Sequence, residues 1–238
     1  MNKLALKNLR KDLKEFSNEE KAKLLMRFFK TGKGQYGEGD KFIGVVVPDS
    51  RKVAKKYSGL SLAEIDKLIK SKIHEERLVA LLILVDKTKK EKEVKREIVE
   101  FYLAHTAYIN NWDLVDLSAG YIVGKYLLKR DRKILLKLAQ SKNLWERRIA
   151  MIATFAFIYE GEFEWTFKIA KILLHDEHDL IQKAVGWMLR EVGKRVSQKE
   201  LEDFLKENAK TMPRTMLRYA IERLPEPKRQ YYLKLRAD

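Results

Sequence analysis

Apolar residues recur along this chain every three or four positions, the period of a helix, and almost nowhere at the alternating period of a half-buried strand. Only four prolines and 11 glycines are spread through 238 residues, so little stops one helix from following another. The chain therefore reads as all-α. One run departs from the pattern. Ile43-Gly-Val-Val-Val47, closed by Pro48, is either an extended connection or the buried entry to a helix, and alone it cannot make a sheet.

Helix starts are marked by residues that satisfy orphan amides. Ser17-Asn-Glu-Glu20 and Ser61-Leu-Ala-Glu64 have the capping-box pattern, Asn143 and Ser197 offer side-chain oxygens, and Pro213 can open a helix. Together these signals predict helices near residues 2–16, 18–30, 48–57, 61–71, 75–89, 91–107, 112–129, 131–141, 144–159, 163–174, 179–195, 198–208, 213–224 and 226–236. Helices starting near Glu75, Trp112, Trp145, Asp179 and Pro213 resemble one another at a period of about 35 residues, the length of a two-helix solenoid repeat. Arg77-Leu-Val-Ala-Leu-Leu-Ile-Leu, Arg148-Ile-Ala-Met-Ile-Ala-Thr-Phe and Gln182-Lys-Ala-Val-Gly-Trp-Met-Leu each place a polar residue before an apolar stripe containing Ala or Gly. Small residues in such stripes let helices stack closely. The expected architecture is one solenoid domain over residues 1–238, with the second helices of successive pairs lining a concave face.

Fifty Lys plus Arg against 34 Asp plus Glu give a formal net charge of +16, which suits a polyanionic partner: nucleic acid or an anionic membrane surface. A basic, well-solvated surface is the plain alternative. Arg147, Arg148, Lys183, Arg190, Arg214 and Arg218 fall on the candidate inner helices, where phosphate contacts would hold a duplex without reading its sequence. The chain has no cysteine, which excludes thiolate zinc sites, iron–sulfur clusters, thiol nucleophiles and disulfides, and fits a reducing cytoplasm. Met1 to Phe16 mixes five cations with spaced leucines and reads as a first helix, not a secretory signal. Nothing later approaches the roughly 18 uncharged apolar residues of a membrane span. A soluble cytoplasmic protein, associated with the nucleoid when bound to DNA, is expected.

Four separated segments carry a resemblance. They are Tyr36-Gly-Glu-Gly-Asp-Lys-Phe-Ile-Gly-Val-Val-Val-Pro48, Asn110-Asn-Trp-Asp-Leu-Val-Asp116, the helix start Trp145-Glu-Arg-Arg148, and Ile181-Gln-Lys-Ala-Val-Gly-Trp-Met-Leu-Arg-Glu191. In order and spacing they resemble the HEAT-like-repeat DNA alkylation-repair glycosylases, the AlkD family, over nearly the whole chain. The resemblance implies a right-handed superhelical solenoid of HEAT-like helix pairs with a concave basic face. It implies monofunctional glycosylase activity on N3- and N7-alkylated purines of the 3-methyladenine and 7-methylguanine type in duplex DNA, leaving an abasic site. By motif it assigns the site to Trp112, Asp116, Trp187 and Arg148, with no metal or organic cofactor, no obligate protein partner, and a monomer as the working form. Val46 stands where some members carry a polar residue, so no DNA contact is assigned there.

The residue types suit that chemistry. Trp112 and Asp116 are four apart and share a helical face. An N-alkylated purine is already a cationic leaving group, so the remaining barrier is charge developing on the sugar, which a carboxylate opposes. The same carboxylate can orient the attacking water. Indole faces attract a cationic base by about 0.5–2 kcal/mol. Arg148, with Arg147 as its neighbouring alternative, and Arg190, three residues after Trp187, would hold phosphates bidentately. Taken singly, a Trp on an amphipathic helix is more often core, and an Asp such as Asp116 can simply pair with Arg147. Gly32-Lys-Gly-Gln-Tyr-Gly37 spells a dinucleotide fingerprint but follows a helix, so it reads as a flexible connection whose Tyr36 touches the DNA backbone. His175 and His178 lack a third ligand at metal spacing and lie in a turn, while His74 and His105 read as structural. Two further readings stand beside the enzyme: a non-catalytic DNA-structure binder, and a protein-binding scaffold whose association resists moderate salt.

Overall fold

The computed structural model describes residues 3–91 and 93–235; Asn2, Lys92 and Arg236, included in the expected helices, lie outside them. Among the described residues the chain is helical with no strand, and its one isolated bridge joins Lys41 to Ile73. No helix there is long and apolar enough to cross a membrane. The chain divides into two compact units, residues 1–118 and 119–238.

The first unit contains α1 (Lys3–Glu15), α2 (Glu19–Phe28), α3 (Val47–Lys56), α4 (Leu62–Ile69), α5 (His74–Lys90), α6 (Arg96–Ala104), a 3₁₀ turn (Thr106–Tyr108) and α7 (Trp112–Asp116). Its centre is α5. Eight consecutive residues, Leu78 to Val85, are buried on every side of that helix, and α3, α4 and α7 pack on it. By contrast α1 is amphipathic and, among its described residues, buries only Leu6, Leu9 and Leu13. At the start of α2 the cap is Asn18, not Ser17: Asn18 Oδ1 accepts from the Lys21 amide at 2.9 Å, while Ser17 Oγ turns back to the Lys14 carbonyl at 2.6 Å. The Ser61–Glu64 box forms as expected.

Residues 43–46 of the Ile43–Val47 run are a non-helical connection, and Val47 opens α3. The connection is pinned from below, because the buried Glu75 carboxylate accepts from the backbone amides of Ile43, Gly44 and Val45 at 2.9–3.2 Å. The Asn18 amide donates to the Ile43 carbonyl at 2.9 Å from the other side. Gly44 is required there: its φ is +83°, and a Cβ would sit 2.0 Å from the Asn18 carbonyl oxygen.

The second unit contains a π-helical turn (Gly120–Gly124), α8 (Lys125–Leu127), α9 (Ile134–Ala139), α10 (Leu144–Ala153), α11 (Phe155–Tyr159), α12 (Glu164–Ile172), α13 (Asp179–Arg195), α14 (Gln198–Asn208), α15 (Arg214–Ala220) and α16 (Glu226–Lys234). Here α10, α13 and α15 stack in succession, with α9, α12 and α14 packed against them. Their buried faces contain Ala150, Ala153, Ala184, Gly186 and Ala220, the small residues that permit close approach. Asn143 caps α10 and Ser197 caps α14 through side-chain oxygens, and α15 begins after Pro213. Helices α5, α7, α10, α13 and α15 start at or next to the positions marked by the repeat.

Two long expected helices are broken. The stretch 112–129 stops at Asp116 because Ser118 Oγ bonds back to the carbonyls of Leu114 and Val115. It resumes only as the π turn, where Gly124 presses so closely on α10 that a Cβ would lie 2.2 Å from the Ala153 carbonyl oxygen. The stretch 144–159 breaks at Thr154, whose hydroxyl bonds back to the Met151 carbonyl at 2.7 Å.

Candidate functional site

The five residues of α7 cannot hold a helix by themselves; their surroundings hold them. Asn111, fully buried, caps the first turn by accepting from the Trp112 amide at 2.8 Å. Leu114 and Val115 face the core, which leaves Trp112 and Asp116 partly buried together on the other side. The Trp112 indole lies stacked on Phe29 with ring centroids 5.2 Å apart, and Phe28 meets it edge-on at 5.8 Å. Phe29 in turn stacks on Phe42 at 5.1 Å, and both rings reach His74. Phe28 is 62% exposed, an aromatic edge beside the indole.

At the other end of α7, Ser118 Oγ donates to the Leu114 carbonyl at 2.5 Å and accepts from the Tyr102 hydroxyl at 2.9 Å. Burial pushes the Tyr102 phenol well up from its usual value, and the Asp116 carboxylate adds to that push against the Ser118 hydrogen bond. Tyr102 is therefore a neutral donor. It also fixes the turn that ends the helix bearing Asp116.

In the second unit Trp187 is partly buried on α13, 5.8 Å from Phe155, and the preceding Gly186 lies against α15. Arg148 is only 5% exposed and donates to the Leu180 carbonyl near the start of α13. Arg147 donates to Asp176 at 2.7 Å and to the Ser141 and Lys142 carbonyls, so a partner for its guanidinium is found within its own unit. Lys183 pairs with Asp179 at 2.8 Å, and Arg190 with Glu191 and Glu222. Arg214 donates to the Leu233 and Leu235 carbonyls while remaining exposed, and Arg218 is exposed. Tyr36, in the Gly-rich turn, has the Lys30 ammonium over its ring at 5.9 Å.

Several cations expected at phosphates thus already hold intramolecular partners, which any phosphate must exchange or share. Among the described residues no cluster of three or more His, Asp or Glu is arranged to hold a metal. His178 instead caps α13, its Nδ1 accepting from the Leu180 amide at 3.2 Å; burial lowers its pKa and keeps that lone pair available.

Residues 9–224 match the family described as DNA alkylation repair enzyme. The chain belongs to that family. Among solved structures, a predicted DNA alkylation repair enzyme from Enterococcus faecalis superposes with a TM-score of 0.72 at 20% identity, covering 88% of this chain and 97% of that one. AlkD2 from Streptococcus mutans gives 0.57 at 18% identity, covering 94% and 99%. The structure of smu.31 from Streptococcus mutans UA159 gives 0.51 at 18%, covering 91% and 96%. At these identities the likeness establishes the all-helical fold shared with AlkD-like proteins. A comparison with curated proteins returns no match. Membership of a DNA alkylation repair family makes DNA the substrate class.

The sequence marks His74 as structural but does not connect it to Trp112, and Phe28, Phe29, Phe42 and the charged partners of His74, namely Asp113, Asp40 and Arg77, were missed. A signal for the charged set was present. His74-Glu-Glu-Arg77 immediately precedes the eight-residue apolar run of α5, and charges opening a helix that is buried all round must themselves be buried and paired. His74, Glu75, Glu76 and Arg77 are all buried.

Proposed function

We propose that the protein is a monofunctional DNA glycosylase that hydrolyses the N-glycosidic bond of cationic N3- and N7-alkylated purines in duplex DNA. The observation that carries this reading is the pairing of a partly open indole and a partly open carboxylate, Trp112 and Asp116, on one face of a helix locked at both ends. Locking is what electrostatic stabilisation needs, since groups already in place cost no reorganisation during reaction.

In the proposed reaction the C1′–N bond breaks and its electron pair neutralises the positive charge of the departing purine. Positive charge grows on the sugar, where the Asp116 carboxylate opposes it. Water adds at C1′, and Asp116 accepts its proton. No Lys Schiff base and no metal enters this sequence. The Trp112 indole packs against sugar or cationic base, favouring lesions over neutral bases by about 0.5–2 kcal/mol. Trp187 is proposed as a second indole contact. Arg148 is proposed for a phosphate, which it would reach by sharing or exchanging its bond to the Leu180 carbonyl. Lys183, Arg190, Arg214, Arg218 and Tyr36 are proposed backbone contacts, and the working form is a monomer.

The purified protein should release 7-methylguanine from methylated duplex DNA, and Asp116→Asn should lower that release by about 10²-fold or more while keeping DNA affinity. Equal release by Asp116→Asn would remove Asp116 from the chemistry. DNA binding with no release by the wild type would instead favour a non-catalytic binder of DNA structure.

A further inference from the structure

A buried cluster of ionisable groups stands behind Trp112 and takes no part in the chemistry above. His74, at the start of α5, is 1% exposed, yet each of its ring nitrogens faces a carboxylate: Nε2 lies 2.8 Å from Asp113 Oδ2 and Nδ1 lies 3.2 Å from Asp40 Oδ2. A neutral imidazole donates from one nitrogen only, so the other would turn its lone pair on an anion. The doubly protonated ring donates to both carboxylates at these short distances, whereas a neutral ring would have to give up Asp40 and accept at Nδ1 from Arg77 Nη2, 3.5 Å away. Burial and the nearby Arg77 charge push the pKa of His74 down, but the charge and hydrogen bond of Asp113 and the hydrogen bond of Asp40 outweigh them and raise it. Arg77 Nη2 shares the same Asp40 oxygen at 2.7 Å, and Asn110 Nδ2 approaches Asp40 Oδ1 at 3.5 Å.

The cluster grips α7 twice. Asp113 follows Trp112 directly; its Oδ1 is buried without a partner, so among the described residues His74 is what holds that carboxylate. The cationic ring also stacks on Phe42 at 4.4 Å and lies 5.2 Å from Phe29, the ring on which the indole rests.

We propose that His74 is a positioning residue for Trp112: as the imidazolium it ties α7 to α5 and to Asp40 and sets the orientation of the indole, and loss of its proton lets the indole turn and slows base release without loosening DNA binding. Only the part concerning base release rests on the glycosylase reading. The charged groups facing His74 are Asp113 from α7, Asp40 from the preceding turn and Arg77 from α5, so its titration is tied to these three.

The test uses the full chain with nitrogen-labelled tryptophan. The indole N–H resonance of Trp112, identified with Trp112→Phe among the four tryptophans, should move as pH is raised through neutral into the alkaline range, and His74→Gln should abolish that movement. In single-turnover assays at saturating enzyme, His74→Gln should release 7-methylguanine about tenfold more slowly or worse, with DNA affinity within about twofold of wild type. A Trp112 resonance that ignores both pH and the His74→Gln change overturns the proposal, as does a His74→Gln protein with undiminished release. If the wild type releases no base, the glycosylase reading fails while the resonance still decides the positioning role. If His74→Gln does not fold, the wild-type titration decides alone.

Discussion

Glu75 offers the most direct trial of how this fold holds its non-helical segment. Its fully buried carboxylate takes three consecutive backbone amides, those of Ile43, Gly44 and Val45. Replacing it with Gln keeps the volume but removes the charge. Hydrogen bonds to a charged acceptor contribute about 1.5–3 kcal/mol each and neutral ones about 0.5–1.5, so three bonds lose roughly 3 kcal/mol together. The new amide must also turn a donor toward amides that are themselves donors, since Oε2 of Glu75 lies 3.2 Å from the Ile43 nitrogen. A loss of about 3 kcal/mol corresponds to a fall in Tm on the order of 10 °C for a unit of this size. Thermal and urea unfolding measure it directly. Hydrogen exchange at Ile43, Gly44 and Val45 should rise in parallel. Glu100→Gln, which removes an exposed pair with Arg96, serves as the control and should cost less than about 0.5 kcal/mol. A Glu75→Gln protein within about 1 kcal/mol of wild type would refute the claim that this carboxylate organises the connection.

Gly186→Ala should lower Tm even though Ala favours helix by about 1 kcal/mol, because the new Cβ would lie 2.4 Å from the Met216 carbonyl oxygen and 2.5 Å from the Tyr219 Cβ; a net loss of about 1–2 kcal/mol is expected, and an unchanged or raised Tm would contradict the packing described. Arg148→Ala should lower both stability and DNA affinity and lessen the salt dependence of binding; an unaltered salt slope in titrations argues against a phosphate contact. The His74 cluster also predicts a pH window. Burial would raise the Asp40 carboxyl, but the His74 hydrogen bond and the Arg77 charge hold it below its usual value, so its stabilisation is present above about pH 4 and is lost as pH falls through the depressed value. His74 is raised, so its stabilisation is complete below about pH 6.5 and is lost as pH rises through the raised value. Urea unfolding across pH should show this two-sided loss, and Asp40→Asn should flatten its acid side.

Much of the helical order was legible because its signals are local. Caps at Asn143 and Ser197, the proline before α15 and the apolar stripes of α10 and α13 act within a few residues of where they are written. The failures have more than one cause. Ser17 and Asn18 are both good caps, and the choice between them is made by the Ile43 carbonyl, which takes the Asn18 amide from far along the chain. The breaks after Asp116 and at Thr154 come from hydroxyls bonding backward and from Gly124 pressing on α10, none of which changes the apolar period. In the candidate site, the Trp112–Asp116 spacing was readable because it spans one helical turn. The supports were not: His74 and Asp113 are 39 positions apart, and nothing local at either residue announces the other. Arg147 and Arg148 show the same limit, since the sequence marks them as cations but not that their guanidinium groups are engaged inside the unit.

A helix of five residues has almost no stability of its own, so the survival of α7 is borrowed from Asn111, Ser118 and the rings beneath it. Indole and carboxylate would then be assembled or dispersed together, in an opening that need not involve the long helix α5. Protection of the amides from Trp112 to Ser118 would gauge how often a molecule stands ready to act, a quantity that bulk melting of the protein does not report.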